Sequence, residues 1–354
     1  MVMITRLPNL LHRRYGRSCQ VIGNGSWTPG TYDGNPDVAA VWSFHRHLPF
    51  LLDRVWYPVR RALRASAPGP VYICEKHYRQ LPRVRRILRF AGVDPRRCVF
   101  LTNVAVRGPV PETQHLVDRM VELGLRTPEN IRAQDYPPPA PELLDGPRLY
   151  VLDAERAERD AWLQREGFVG RELILIQPGN HRTMGPRRGR WRRLNTDNKW
   201  WPIERWAELL RRIHRDRPDA VLVLRGSKEE LPMLREIQTA TNLKSVATVA
   251  TTLRQLYALC EVAGSMVSVD SGPGHAAAAL SVPLVVLYGA EPPQIWLPRS
   301  PSGSPVVPVG GAPLSLRADT VPVDAVFDAW RSIADARTAV TASWRGGKSV
   351  CQAT

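Results

Sequence analysis

Short, almost wholly apolar runs recur along this chain, and each is followed by a longer amphipathic stretch. In the first part they are CQVIG (19–23), VAAVW (38–42), VYIC (71–74) and CVFL (98–101). In the second they are LILIQPG (173–179), AVLVLRG (220–226), SMVSVD (265–270) and LVVLYG (284–289). A strand that is apolar on both sides has to be covered on both faces, the condition of a parallel sheet with helices above and below. Helices are expected over 53–65, 80–91 and 203–215, the last with Trp206, Leu209, Leu210 and Ile213 along one face. Between the two series lies AQDYPPPAPELLDGP (133–147), rich in proline and without periodicity, which reads as an interdomain strap. The expected organisation is α/β, with two doubly wound, Rossmann-like domains facing one another. They span residues 1–147 and 148–338, and 339–354 forms a patternless, mobile tail.

The most informative stretch is VSVDSGPGHAAAALSVPLVVLYG (267–289). An apolar strand ends at Asp270, and a helix of small residues comes next. In open α/β sheets, ligands bind beyond the carboxyl ends of the strands. Ser271 is placed to cap the helix, and Pro273 suits its first turn, where a missing N–H costs nothing. Gly272 and Gly274 permit close approach of a backbone or a phosphate. The helix N-terminus favours an anion, and His275 stands in its first turn. The stretch reads as a diphosphate cradle. A plain strand–turn–helix with Asp270 as a buried cap is the structural alternative.

Two more strand ends point to the same sheet edge. QPGNHRT puts Asn180, His181 and Thr183 after strand 173–177. NKWWP then puts Lys199 before helix 203–215, where a lysine can meet a phosphate as a point charge. A solvated flanking lysine is the ordinary alternative. LRGSKEELPML puts Gly226, Ser227 and Glu230 after strand 220–225. A carboxylate there can hold the two hydroxyls of a ribose, or simply favour a helix dipole. Together the three ends predict a nucleotide site.

The charge balance agrees with an anionic partner. Forty-nine Lys and Arg stand against 33 Asp and Glu, a formal net charge of +16. Such an excess suits phosphorylated substrates, an anionic membrane or nucleic acid, although an arginine-rich coding bias gives the same count. The polar signals sit at strand ends rather than over one face, which argues against nucleic acid. The five cysteines are scattered with no CxxC pair, so neither a metal nor a disulfide framework is expected, and a reducing cytoplasm fits. No signal peptide and no segment of membrane-spanning length is read in the sequence.

At this point the residues resemble a known family. DSGPGHAAAALSVPLVVLYG, followed by PPQIWLP, resembles the signature of glycosyltransferase family 9, the lipopolysaccharide heptosyltransferases. QPG, KWWPIERWAEL and RGSKEE resemble its other carboxyl-terminal motifs, in the same order. The likeness is good over 149–335 and looser before, through GNPDVAAVW (34–42). It implies the GT-B fold, an ADP-heptose-type donor on the second domain, a lipid-linked acceptor on the first, and no metal or other cofactor. By motif, Asp270, Ser271, Gly272 and His275 would meet the donor's sugar and diphosphate, Lys199 the phosphates and Glu230 the ribose. The chemistry implied is inverting transfer without a metal. Lys199, His275 and the helix N-terminus would stabilise the departing diphosphate, and a general base would activate the acceptor hydroxyl. The chain would work in the cytoplasm, as a peripheral protein at the inner face of the membrane.

The start departs from the family pattern, which opens with a strand and a Gly-Asp pair carrying the expected base. Here MVMITRLPNLLHRRYG resembles the stretch just after that pair, no Asp or Glu precedes Asp33, and Arg6 stands where the family often has proline. The first strand and the base are therefore expected to lie outside this sequence, with Glu75 as the substitute base within it. A second departure is the basic loop HRTMGPRRGRWRRLNTDNK (181–199), either a phosphate clamp or a solvated insertion. The alternatives to a heptosyltransferase are a catalytically impaired or dead sugar-nucleotide-binding homologue, and a GT-B enzyme using another nucleotide sugar.

Overall fold

The computed structural model describes residues 1–45, 52–66, 68–103, 114–140, 146–183 and 197–346, with side chains of the last helix described to Ala334. The chain divides into two compact units, Met1–Tyr150 and Val151–Thr354.

Unit 1 opens with a single turn at Val2–Thr5 and helix α1 (Arg6–Tyr15). Strand and helix then alternate: β1 (Cys19–Asn24), α2 (Trp27–Tyr32), β2 (Val38–Phe44), α3 (Trp56–Ala65), β3 (Val71–Ile73), α4 (Leu81–Ala91), β4 (Cys98–Phe100) and α5 (Leu116–Leu125). Among the described residues the strands form two separate parallel pairs, β1–β2 and β3–β4. Two apolar layers hold the unit. On one side α1 and α5 bring Leu7, Leu11, Met120 and Leu123 against Val99 and Leu101. On the other, α3 and α4 bring Trp56, Val59, Leu63 and Ile87 against Ile22, Trp42 and Val71. Arg14, 6% exposed, ties α1 to the end of α5 and the chain beyond it by donating to the carbonyls of Gly124, Arg126 and Tyr136.

Unit 2 contains α6 (Asp153–Arg165), β5 (Leu173–Gln177), α7 (Ile203–Asp216), β6 (Val221–Gly226), α8 (Leu231–Thr241), β7 (Val246–Ala250), α9 (Leu253–Val262), β8 (Ala263–Val269), α10 (Gly272–Ala279), β9 (Leu284–Tyr288), α11 (Pro293–Trp296), β10 (Val306–Gly310) and α12 (Val323–Gly346). Its six strands form one parallel sheet in the order β10-β9-β8-β5-β6-β7. The unit's first strand lies inside the sheet. Later strands extend first to one side and then to the other, so the order reverses between β5 and β8. Every residue of β5, β6, β8 and β9 is buried, in keeping with their largely apolar sequences, and the polar exceptions Gln177, Arg225, Ser265 and Ser268 are hydrogen-bonded. The core beneath includes Trp201, Trp206 and Trp330, with Trp201 and Trp206 edge to face at 4.8 Å. The Trp201 and Trp330 indole N–H groups donate to the Val321 carbonyl and the Ser265 hydroxyl. Trp206, Leu209, Leu210 and Ile213 face the core along α7.

Two features differ from expectation. β7 and β10 add two strands that the sequence does not signal: both are edge strands, mostly half-exposed, and β10 carries Pro308. The patternless segment expected after residue 338 is helical as far as Gly346, and only 347–354 lies outside the described residues. Most of the basic loop, 184–196, and 141–145 of the strap also lie outside them. Among the described residues no helix is long and apolar enough to cross a membrane.

Candidate functional site

Where the strand order of an open parallel sheet reverses, the helices on its two sides diverge and leave a crevice at the carboxyl ends. In unit 2 that point lies between β5 and β8, and most of the expected site residues leave the sheet beside it.

After β5 the chain turns through Pro178 and Gly179 to Asn180 and Thr183, both buried. The Thr183 hydroxyl accepts from the Asn180 N–H at 2.8 Å and donates to Glu230 Oε1. Glu230, 3% exposed, arrives from the turn after β6, and its other oxygen accepts from the Ser227 N–H at 2.7 Å. The carboxylate is thus held on both sides, by Thr183 and by the Ser227 N–H. Gly179 is required here, since a Cβ would lie 1.8 Å from Glu230 Oε1. At Gly226 a Cβ would lie 2.9 Å from Glu230 Oε2.

A second knot centres on Asp197, 1% exposed. It accepts from Asn180 Nδ2 at 3.0 Å, from Arg182 Nη1 at 2.8 Å and from the Lys199 N–H at 3.1 Å. Those bonds fix the backbone from which Lys199 extends. Its ammonium then donates to Asp270 Oδ2 at 2.6 Å, joining the approach to α7 with the end of β8. Asp270 is 7% exposed, so the lysine provides the counter-charge that such burial demands. His181 stands beside this pair, and burial, then Lys199 and Arg182, hold its pKa below the ordinary histidine value.

Beyond Asp270, α10 starts at Gly272 with Pro273 in its first turn. Ser271 occupies the cap position, but its hydroxyl does not accept from the helix N–H groups. It lies instead 3.1 Å from the Ser268 hydroxyl on β8. The expected side-chain cap is therefore corrected: the serine is held to the strand, and the first-turn N–H groups are left without it. The two glycines differ. At Gly274 a Cβ would come to 3.3 Å from Ser268 Oγ, so this position serves helix–sheet packing. At Gly272 nothing lies within 4 Å, and the space is open. His275 is half-buried in the same turn. Ala276 to Ala279 are buried, as a slim helix packed on the sheet requires.

The structure thus brings together Asn180, Thr183, Gly226 and Glu230 around one carboxylate. It brings Lys199 together with Asp270, next to Ser271, Gly272, Gly274 and His275. Glu75 is elsewhere, in unit 1, just past β3, where its carboxylate accepts from the His77 N–H at 2.8 Å. Arg182 and Asp197 were not singled out from the sequence. Nor was a buried chain behind the site, in which Arg225 donates to Gln177 Oε1 and to Thr251 Oγ1, and Gln177 donates to the Gly179 carbonyl. Burial pulls the Arg225 guanidinium down to about 10 against the opposing charge of Glu230. Among the described residues, no three His, Cys, Asp or Glu side chains group as a cation site.

Chemically, the site offers an ammonium, a helix N-terminus and a histidine to an anion. Beyond β6, two strands from β8 in the same sheet, it holds an oriented carboxylate suited to hydroxyls.

Comparison with known proteins agrees. Residues 81–307 match the family model of glycosyltransferase family 9 (heptosyltransferase). Lipopolysaccharide heptosyltransferase 3 of Escherichia coli is 28% identical over 134 residues, covering 37% of this chain and 35% of that one. Lipopolysaccharide heptosyltransferase 2 of Salmonella typhimurium is 31% identical over 192 residues, covering 52% and 49%. The alignments thus span about a third to a half of the length of these curated relatives. Among solved structures, the E. coli ADP-heptose lps heptosyltransferase II superposes with a TM-score of 0.68 at 21% identity, covering 96% of both chains. An E. coli heptosyltransferase solved with ADP superposes with a TM-score of 0.62 at 16% identity, covering 94% of this chain and 96% of that one. The fold is of the GT-B class, and the chain belongs to glycosyltransferase family 9.

Proposed function

We propose that this glycosyltransferase moves a heptose-like sugar, with inversion, from an ADP-sugar to a phosphorylated, lipid-linked saccharide of lipopolysaccharide-core type. The observation that carries the reading is the Lys199–Asp270 pair beside the open start of α10, at the reversal of strand order. The diphosphate would lie on the α10 N-terminus with Lys199 and His275 against it. Asp270 and Ser271 would meet the sugar, while Asn180, Thr183, Gly226 and Glu230 would form the ribose end. In the reaction the acceptor hydroxyl attacks the anomeric carbon as its proton passes to a base. The bond from that carbon to the diphosphate oxygen breaks, and ADP departs with the electron pair. Negative charge grows on the leaving oxygen, and donors preorganised toward it lower the barrier. No metal or other cofactor enters this scheme. On this reading the enzyme works at the cytoplasmic face of an anionic membrane, with no nucleic-acid partner.

Glu75, the candidate base, is engaged in a local turn, its carboxylate accepting from the His77 N–H. This favours a second reading, a sugar-nucleotide-binding homologue with little or no turnover. Release of ADP from an ADP-heptose in the presence of a lipopolysaccharide-core acceptor decides between them. Turnover that falls at least tenfold in Glu75→Gln supports the first reading with that base. Donor binding with no ADP release supports the second.

His275 is expected to act on the leaving group rather than on the bound donor. In His275→Ala, kcat should fall about tenfold or more, with KM changed much less. A change confined to KM would remove the role assigned to it.

A further inference from the structure

We infer that the outer face of α3 and α4 is the surface by which unit 1 docks on an anionic lipid bilayer; the inference rests on the lipid-linked acceptor proposed above. Between Arg54 and Gly92 the sequence holds nine arginines and one lysine against a single acid, Glu75. Both helices bury an apolar stripe in the same layer of the unit, so their remaining faces look outward together. On α3 and its approach, Arg54, Tyr57, Arg61 and Arg64 are exposed, at spacings that keep them on one helical face. On α4, Pro82, Arg85, Arg86 and Arg89 are exposed in the same manner. Arg60 joins the two helices, its guanidinium lying 5.0 Å over the Phe90 ring.

What marks this face is the absence of counter-charge among the described residues. In unit 2 arginines are matched by acids: Arg211, Arg212 and Arg215 share Glu208, Arg156 and Arg159 share Glu261, and Arg254 meets Glu155. On α3 and α4, Arg54, Arg61, Arg64, Arg85, Arg86 and Arg89 have no carboxylate partner. Like charges gathered this way repel one another unless an anionic surface neutralises them. Large exposed side chains accompany α3, with Leu52 just before it 70% and Tyr57 within it 59% exposed. Exposed arginines interleaved with tyrosine, leucine and proline suit the headgroup boundary, where cations meet lipid phosphates and apolar groups enter the interface.

The test is co-sedimentation of the full chain with phosphatidylglycerol-containing vesicles. The parent should bind them, should lose them as salt rises, and should ignore vesicles of phosphatidylcholine alone. Joint substitution Arg61→Glu, Arg64→Glu, Arg86→Glu and Arg89→Glu should weaken binding by more than about a hundredfold. The same charge change in unit 2, at Arg165, Arg171, Arg215 and Arg331, should weaken it far less. If the glutamate variant loses its circular-dichroism spectrum, glutamine at the same four positions should still weaken binding markedly. Equal loss in both sets, undiminished binding in the first, or a parent that binds duplex RNA but not vesicles would overturn the inference. Transfer to a deacylated, water-soluble acceptor should survive the α3–α4 substitutions. If the parent itself fails that assay while vesicle binding behaves as described, the proposed function fails and the docking face stands.

Discussion

Replacing Lys199 by alanine is expected to do two things that a surface lysine would not. The ammonium is the direct partner of Asp270 at 2.6 Å, and both side chains are mostly buried. Its removal leaves a carboxylate shielded from water with no counter-charge. Breaking a wholly buried pair costs about 3–5 kcal/mol, and partial exposure here reduces the expected loss of stability to about 2 kcal/mol. Separately, the diphosphate loses a charged donor, worth about 1.5–3 kcal/mol, or roughly a ten- to hundredfold rise in Kd for an ADP-sugar. The two effects separate in a double variant. Lys199→Ala with Asp270→Asn removes the stranded charge and should recover much of the stability while donor binding stays weak. Thermal unfolding and calorimetry on the parent, the single and the double variant give both quantities. A single variant that binds donor like the parent would make Lys199 a structural residue only.

Gly289→Ala is expected to damage the same site from outside it. Gly289 comes directly after β9, and a Cβ there would lie 2.1 Å from the Asn198 carbonyl oxygen and 2.6 Å from its carbon. The obstacle is backbone, and Asn198 cannot simply step aside. Its carbonyl accepts from the Ala318 N–H at 2.7 Å, and its neighbours Asp197 and Lys199 are held in the site. Overpacking of this kind costs about 1–3 kcal/mol or more. Because the segment that must move carries Lys199, donor affinity should fall with stability, about tenfold or more. Unchanged melting and unchanged donor affinity would show that the 197–199 segment is free to shift.

How much of this arrangement is legible in the sequence depends on how locally each part is encoded. β5, β6, β8 and β9 are legible because two-sided burial makes their sequences predominantly apolar. β7 and β10 are not, because one edge faces water. Their residues are mostly half-exposed, and VATVA and VVPVG are too mixed in character to stand out. The start of α10 is legible from Asp270 to His275, where turn, proline and small residues are contiguous. Ser271 misleads in detail because a serine before a helix ordinarily caps it, and nothing nearby in the sequence says that Ser268 competes for its hydroxyl. Lys199 is marked by its place before α7, but its partner is not, lying 71 residues away. Asp197 and Arg182 are hidden inside a basic loop where one acid and one more arginine carry no pattern. The Arg225–Gln177 bond spans 48 residues, and neither side chain is unusual for a strand end until the sheet sets β5 beside β6. Glu75 is a base candidate offered only by its position after β3, and no pattern around it marks a base.

Calorimetric titration of the full chain with ADP, UDP and an ADP-heptose measures what enters the crevice between β5 and β8. ADP and the ADP-heptose should bind at one site without added metal. UDP should bind much more weakly, and Glu230→Ala should weaken both adenine ligands by about tenfold or more. Equal affinity for ADP and UDP, or ADP binding that is indifferent to both Lys199→Ala and Glu230→Ala, would contradict the site described here.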